Sequence, residues 1–155
     1  MDFQRLNTLT YKVHEYHLEK AWIRFENAGF KPILIKGWAA AQFYTEPFKR
    51  RYNDIDLIIE PDKYDEAIKF LESFNEKISI DLHKGARQLD SLSYENLYAN
   101  TKVLKCGETE IRVLRPEDHL RVLCVHWLMD GGAKRDKLWD IYYAVNNRSK
   151  DFDWN

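Results

Sequence analysis

Asp54 and Asp56 stand two residues apart at the head of an apolar run, Ile55 to Ile59. In a β-strand, side chains at i and i+2 emerge on the same face, so the two carboxylates lie close together and repel. Burying them beside apolar neighbours costs free energy unless a cation neutralises them. Hard oxygen ligands suit Mg²⁺ or Mn²⁺, ions that also bridge phosphate oxygens. The plainer alternative is that Asp54 caps a turn after Asn53 while Asp56 meets a nearby Lys or Arg; the placement on so apolar a strand favours metal.

Asp81 is the natural third carboxylate, because a strand beside the Asp54 strand brings it to the same rim, where it acts as general base or as a further metal ligand. Glu110, on a later hairpin, is the competing candidate. Lys36-Gly37 follows a strand and precedes a helix, so Gly37 permits close backbone approach, the helix start offers N–H donors to a phosphate and Lys36 adds a charge. A Walker loop is excluded, since its glycine spacing and following Ser or Thr are missing. Lys49, Arg50 and Arg51 just precede the acidic pair and read either as a solvated turn or as partners of a triphosphate. His83 reads as a hydrogen-bonding residue that orients Asp81 or a ligand, and His126 as a helix contact, with Asp140 as its expected partner. No zinc spacing emerges from the five histidines, and neither cysteine has a nearby basic partner that would make it a nucleophile.

The elements that must position these groups follow from periodicity. From about Arg5 to Ala28 there is no Pro or Gly, and Tyr11, Leu18, Trp22 and Phe25 fall on one helical stripe that Gly29 ends. Ile33 to Ile35 is a short buried strand, and Trp38 to Tyr44 reads as a short helix stopped near Pro47. Ile55 to Ile59 is an interior strand. Pro61 and Asp62 start a helix on which Tyr64, Ala67, Ile68 and Leu71 share a side. Lys77 to His83 alternates, with Ile78, Ile80 and Leu82 opposite Ser79, Asp81 and His83, as in a half-buried strand. Residues 84 to 100 are ambiguous. Thr101 to Cys106 and Thr109 to Leu114 flank Gly107-Glu108 as a hairpin with Ile111 and Val113 on its core face. Helices from Pro116 and around Leu138 to Val145 complete one α/β domain with a helical C-terminal part.

Composition narrows the partners. The chain of 155 residues is 45% hydrophobic, ample for one packed core. Its 24 Lys and Arg balance 25 Asp and Glu, so no bulk positive field holds a long nucleic acid and any anion must be bound locally. Cys106 and Cys124 match no metal spacing and suit free thiols in a reducing, cytoplasmic setting. No apolar run approaches the roughly 18 residues that cross a bilayer, so no membrane partner is expected.

The order of these segments resembles the nucleotidyltransferase superfamily, whose fold is that of DNA polymerase beta, and especially its widely distributed, functionally uncharacterised branch. The likeness rests on Ile33-Leu34-Ile35-Lys36-Gly37, Arg51-Tyr52-Asn53-Asp54-Ile55-Asp56-Leu57 and Ile80-Asp81-Leu82-His83. It continues through Leu114-Arg115-Pro116-Glu117-Asp118-His119-Leu120, His126 and Leu138-Trp139-Asp140-Ile141, spanning about residues 30 to 145. The resemblance implies an α+β fold, a small mixed sheet flanked by helices, with a core over about 30–115 and C-terminal helices over about 116–148 of a single domain. It implies Asp54, Asp56 and Asp81 as catalytic metal ligands for Mg²⁺ or Mn²⁺, Lys36, Gly37 and Arg51 at the nucleotide, and His83 in a supporting position. It further implies transfer of a nucleoside monophosphate from a nucleoside triphosphate to a hydroxyl of a small molecule or protein, releasing pyrophosphate. Trp38 departs from the Gly or Ser usual after the glycine, and relatives commonly continue beyond Phe152-Asp153-Trp154-Asn155. Those departures motivate an alternative, a non-catalytic nucleotide- or partner-binding domain of antitoxin-like or regulatory type. A metal-diphosphate grip of the sugar-nucleotide glycosyltransferase kind ranks last, because its acidic pair usually follows a longer nucleotide-binding region.

Overall fold

The computed structural model describes residues 3–74, 79–86, 89 and 91–154. Five strands form one mixed sheet: β1 (Ile33–Ile35), β2 (Asp54–Ile59), β3 (Ser79–Lys84), β4 (Lys102–Cys106) and β5 (Thr109–Val113). Their spatial order is β3-β2-β1-β5-β4. β2 runs antiparallel to β1 and parallel to β3, β5 runs parallel to β1, and β4 closes an antiparallel hairpin on β5. This is the mixed sheet flanked by helices that the sequence resemblance implies. Lys77 and Ile78 of the expected third strand lie outside the described residues.

Period-two alternation divides the sheet between two cores. On one face Leu34, Ile55, Leu57, Ile59, Leu82, Ile111 and Val113 pack against α1 (Phe3–Asn27) and α3 (Tyr64–Leu71). On the other, Ile33, Ile35 and Ile58 meet Tyr94 and Leu97 of α4 (Tyr94–Ala99) and Val122 of α5 (Pro116–Met129). Asp54 and Asp56 have the same parity as Ile58, so the acidic pair belongs to the α5 face. α6 (Arg135–Asn146) lies against α5 and contributes Ala144 to a third apolar cluster with Ala40 and Leu123.

The expected stripe of α1 is the buried one: Leu18, Trp22 and Phe25 are buried and Tyr11 packs beside them. The helix ends as a glycine C-cap predicts. Gly29 takes φ +86, while Phe30 N–H donates to the Phe25 carbonyl and Gly29 N–H to that of Glu26. Three readings shift from expectation, the first being the helix expected from Pro61 and Asp62, which begins at Tyr64 after a turn over 61–63. The helix after Gly37 is shorter, α2 spanning Gly37–Ala41, because the chain tightens into turns before a 3₁₀ turn at Pro47–Lys49. The ambiguous stretch from 84 to 100 contains α4, whose Ser93 cap accepts a hydrogen bond from Asn96 N–H at 3.2 Å. Among the described residues no helix is long and apolar enough to cross a membrane.

Candidate active site

β2 and β3 run parallel with Asp56 directly beside Asp81 and Ile58 beside His83. Side chains of equal parity on neighbouring strands share a face, so Asp54, Asp56, Asp81 and His83 all project toward the α5 side. One ligand atom each from Asp56, Asp81 and His83 lie within 4.8 Å of one another. Asp54 stands at the strand entrance and lines the same cleft as Asp56 without joining that tighter group. Glu110 is exposed on β5 opposite Lys105, with β1 intervening, and takes no part.

Asp56 is the buried member, its side chain 4% exposed. Its Oδ1 receives the Lys36 ammonium at 2.5 Å and His83 Nε2 at 3.0 Å. Burial alone would push this carboxyl up, but the His83 hydrogen bond and the Lys36 charge outweigh it and hold the group below its ordinary value. His83 also stands 3.4 Å from Asp81 Oδ2, so the imidazole bridges the two acids. Asp81 is the open one, with its side chain 59% exposed on an edge strand.

The loop that delivers Lys36 is held in an uncommon conformation. Lys36 has φ +54, a region that L-residues avoid, and Gly37 follows at φ +35. A Cβ on Gly37 would sit 3.2 Å from the Asp54 carbonyl oxygen and 3.6 Å from the Tyr52 ring, so glycine is what lets β1 turn this close to the β2 entrance. Lys36 N–H donates to Nε2 of His119 at 3.2 Å, which fixes that nitrogen as an acceptor and the imidazole as neutral. Burial drives His119 down to about 4, the Arg50 charge adds to the effect and Asp140 opposes it. α2 is only five residues long, so its dipole is slight.

Of the three consecutive cations, Arg50 is the one turned inward. Its Nε and Nη2 donate to the two oxygens of Asp140, both at 2.7 Å, and Tyr44 Oη donates to the same carboxylate at 2.7 Å. Asp140 therefore partners Arg50, and the expected His126 to Asp140 contact gives way. His126 Nε2 instead accepts from Lys137 Nζ at 2.7 Å. Arg51 lies at the rim, donating to Asn7 Oδ1 at 3.0 Å with its guanidinium over the Phe3 ring. Trp38 turns away from the site: it is buried and donates through Nε1 to Glu15 of α1. The bulk that follows Gly37 in sequence thus serves the core.

Part of this set lines a cleft of about 710 Å³, with Asp81 and His83 outside its lining. Lys36, Gly37, Asp54 and Asp56 form one end, Lys49, Arg50 and Arg51 a basic flank, and Tyr44, Trp139 and Tyr143 an aromatic wall. Tyr44 and Tyr143 have ring centroids 4.2 Å apart, and Trp139 lies 6.0 Å from Tyr143 in a tilted arrangement.

A family model described as uncharacterised nucleotidyltransferase matches residues 4–155. The chain belongs to this family. A crystal structure of an antigenic nucleotidyltransferase-like protein from Paracoccidioides brasiliensis superposes with a TM-score of 0.60, covering 88% of this chain and 75% of that one at 12% identity. At that identity the likeness concerns the fold alone. No curated protein matches the chain. The mixed sheet flanked by helices is consistent with a nucleotidyltransferase-like fold, and the adjacent acids lie where β2 pairs with β3.

His119 gives this family member a specific pH signature. Its folded value lies below the unfolded one, so between about pH 6.5 and 4 the unfolded chain holds the extra proton and stability falls as pH falls. Above that window the contribution is fully present; across it the loss is on the order of 3 kcal/mol. Urea titrations at pH 7.5 and 4.5 are expected to show wild type losing more stability than His119→Gln, which retains an acceptor but takes up no proton. Equal losses in the two proteins would contradict the assignment of His119 as a buried neutral acceptor.

Proposed function

We propose that this nucleotidyltransferase family member moves a nucleoside monophosphate from a nucleoside triphosphate to a hydroxyl on a small molecule or protein. The observation that carries the reading is the lateral pairing of Asp56 and Asp81 on parallel strands, with Asp54 two residues before on the same face. Lys36 already meets the charge of buried Asp56, and the hard oxygens that Asp54, Asp56 and Asp81 still offer suit Mg²⁺ or Mn²⁺. Asp54, Asp56 and Asp81 are the ligands in this reading, with His83 aligning Asp56 and Asp81. A bound divalent ion supplies charge neutralisation at the phosphates and lowers the pKa of the attacking hydroxyl.

The chain's own groups divide the remaining work. Lys36 already carries a charge to Asp56 on a flexible stem, and the same ammonium reaches a phosphate oxygen. Arg50, locked by Asp140, offers a preorganised positive field on the cleft's basic flank, and Arg51 at the rim adds a second guanidinium. In the transfer, the acceptor oxygen bonds to the α-phosphorus as the bond from that phosphorus to the β-bridging oxygen breaks. Pyrophosphate departs, and the hydroxyl proton passes to Asp81, the carboxylate open to the acceptor side. Catalysis then consists of positioning and charge neutralisation, with no covalent enzyme intermediate. The aromatic wall suits the nucleobase, since every base offers a π-face to stack on Trp139. Trp38 lies in the core and leaves the phosphate end unobstructed, while the hydroxyl contact of the usual Ser is absent there.

Asp54→Ala and Asp56→Asn are expected to reduce pyrophosphate release from a triphosphate donor by on the order of 100-fold or more while circular dichroism stays native. Asparagine is chosen at position 56 because it keeps hydrogen-bonding capacity beside Lys36 and His83. Retention of full turnover by both variants would falsify the catalytic assignment. Trp139→Ala is expected to raise KM for the triphosphate about tenfold with little change in kcat, as loss of a stacking contact worth about 1–3 kcal/mol predicts. An unchanged KM would remove Trp139 from the nucleoside pocket.

A further inference from the structure

α1 has two apolar stripes, and the fold uses one of them. Leu18, Ala21, Trp22 and Phe25 are buried against the sheet, whereas Leu6, Leu9, Val13, Tyr16 and Ile23 are 40–59% exposed on the outer side of the helix. With Lys20 included, the outer positions 6, 9, 13, 16, 20 and 23 alternate spacings of three and four. That 3.5-residue repeat marks the a and d seam of a coiled coil, and a solvated face of a monomer has no reason to keep it over most of a 25-residue helix.

We propose that this seam pairs antiparallel with α1 of a second copy of the chain. Charge selects both the partner and the direction. The residues flanking the seam at the g positions are Arg5, Lys12, Glu19 and Glu26, basic in the first half of the helix and acidic in the second. An antiparallel copy sets Arg5 against Glu26 and Lys12 against Glu19, and two-fold symmetry repeats each pair. A parallel copy sets Arg5, Lys12 and Glu19 against Thr10, His17 and Arg24, which gives a single clear complementary pair. In the antiparallel register the apolar layers are Leu6 with Ile23 and Val13 with Tyr16. Leu9 meets the stem of Lys20, whose ammonium already leans over the Tyr16 ring at 4.5 Å. Glu19 Oε1 also accepts from Glu108 N–H and from the Thr109 hydroxyl at the β4–β5 turn, so Arg5 with Glu26 is the sharper marker of register. The contact uses the side of α1 turned away from the sheet and is independent of the chemistry proposed for the cleft.

Sedimentation velocity of the full chain over a dilution series tests this. Wild type is expected to sediment as a dimer that dissociates on dilution, and Val13→Glu or Leu9→Glu as a monomer at every concentration with an unchanged circular dichroism spectrum. Arg5→Glu is expected to weaken the dimer and Arg5→Glu with Glu26→Arg to restore it. A wild-type chain that stays monomeric, or a dimer that survives both seam substitutions, overturns the proposal. A double reversal that fails to recover what Arg5→Glu loses overturns the antiparallel register.

Discussion

A carboxylate with a side chain 4% exposed has to be matched by positive charge, and at Asp56 that requirement organises the surrounding structure. An uncompensated acid there would cost several kcal/mol after relaxation. Lys36 supplies the charge from the end of β1 and His83 adds a hydrogen bond from β3, both reaching Oδ1. Delivering Lys36 demands a left-handed backbone at that residue, which His119 stabilises by accepting its N–H. His119 in turn must be neutral and buried, a condition that α5 supplies and the nearby Arg50 charge reinforces. A chain of dependence therefore runs from one acid through a strained lysine to a histidine on a distant helix.

The sheet makes the same site reachable from outside. β2 lies inside the sheet and β3 at its edge, so parallel pairing puts a buried acid beside an open one. The buried partner is held by Lys36 and His83, and the open partner faces solvent. Across the cleft, Asp140 of α6 anchors Arg50 and Tyr44, which ties the C-terminal helices to the loop before β2. Family membership accounts for the fold, and the cleft it carries is acidic at one end and aromatic along one wall.

Much of this architecture was legible in residue order because strand periodicity is strict. Parity alone put Asp54 and Asp56 on one face of β2 and set Asp81 opposite Leu82 on β3, and the helical stripe of α1 followed from Tyr11, Leu18, Trp22 and Phe25. What periodicity could not supply was direction in irregular backbone. Three consecutive cations around a 3₁₀ turn have no fixed phase, so nothing in the run 49–51 distinguished the inward Arg50 from the rim-facing Arg51. His119 stood in a recognisable segment, yet its role depends on a backbone donor 83 positions away. The same long-range geometry reassigned Asp140 from His126 to Arg50 and turned Trp38 toward Glu15.

The proposal at the centre of this account is that Asp56 and Asp81, on adjacent strands, hold one divalent cation, with Asp54 at the strand entrance beside them. Electron paramagnetic resonance of free Mn²⁺, titrated into protein with a non-hydrolysable nucleoside triphosphate, reads that cooperation directly in wild type and in Asp81→Asn. The account predicts stoichiometric depletion of the free Mn²⁺ signal by wild type beyond that of the nucleotide alone, and markedly weaker depletion by the variant. Equal depletion by the two proteins, or none by wild type, would contradict it.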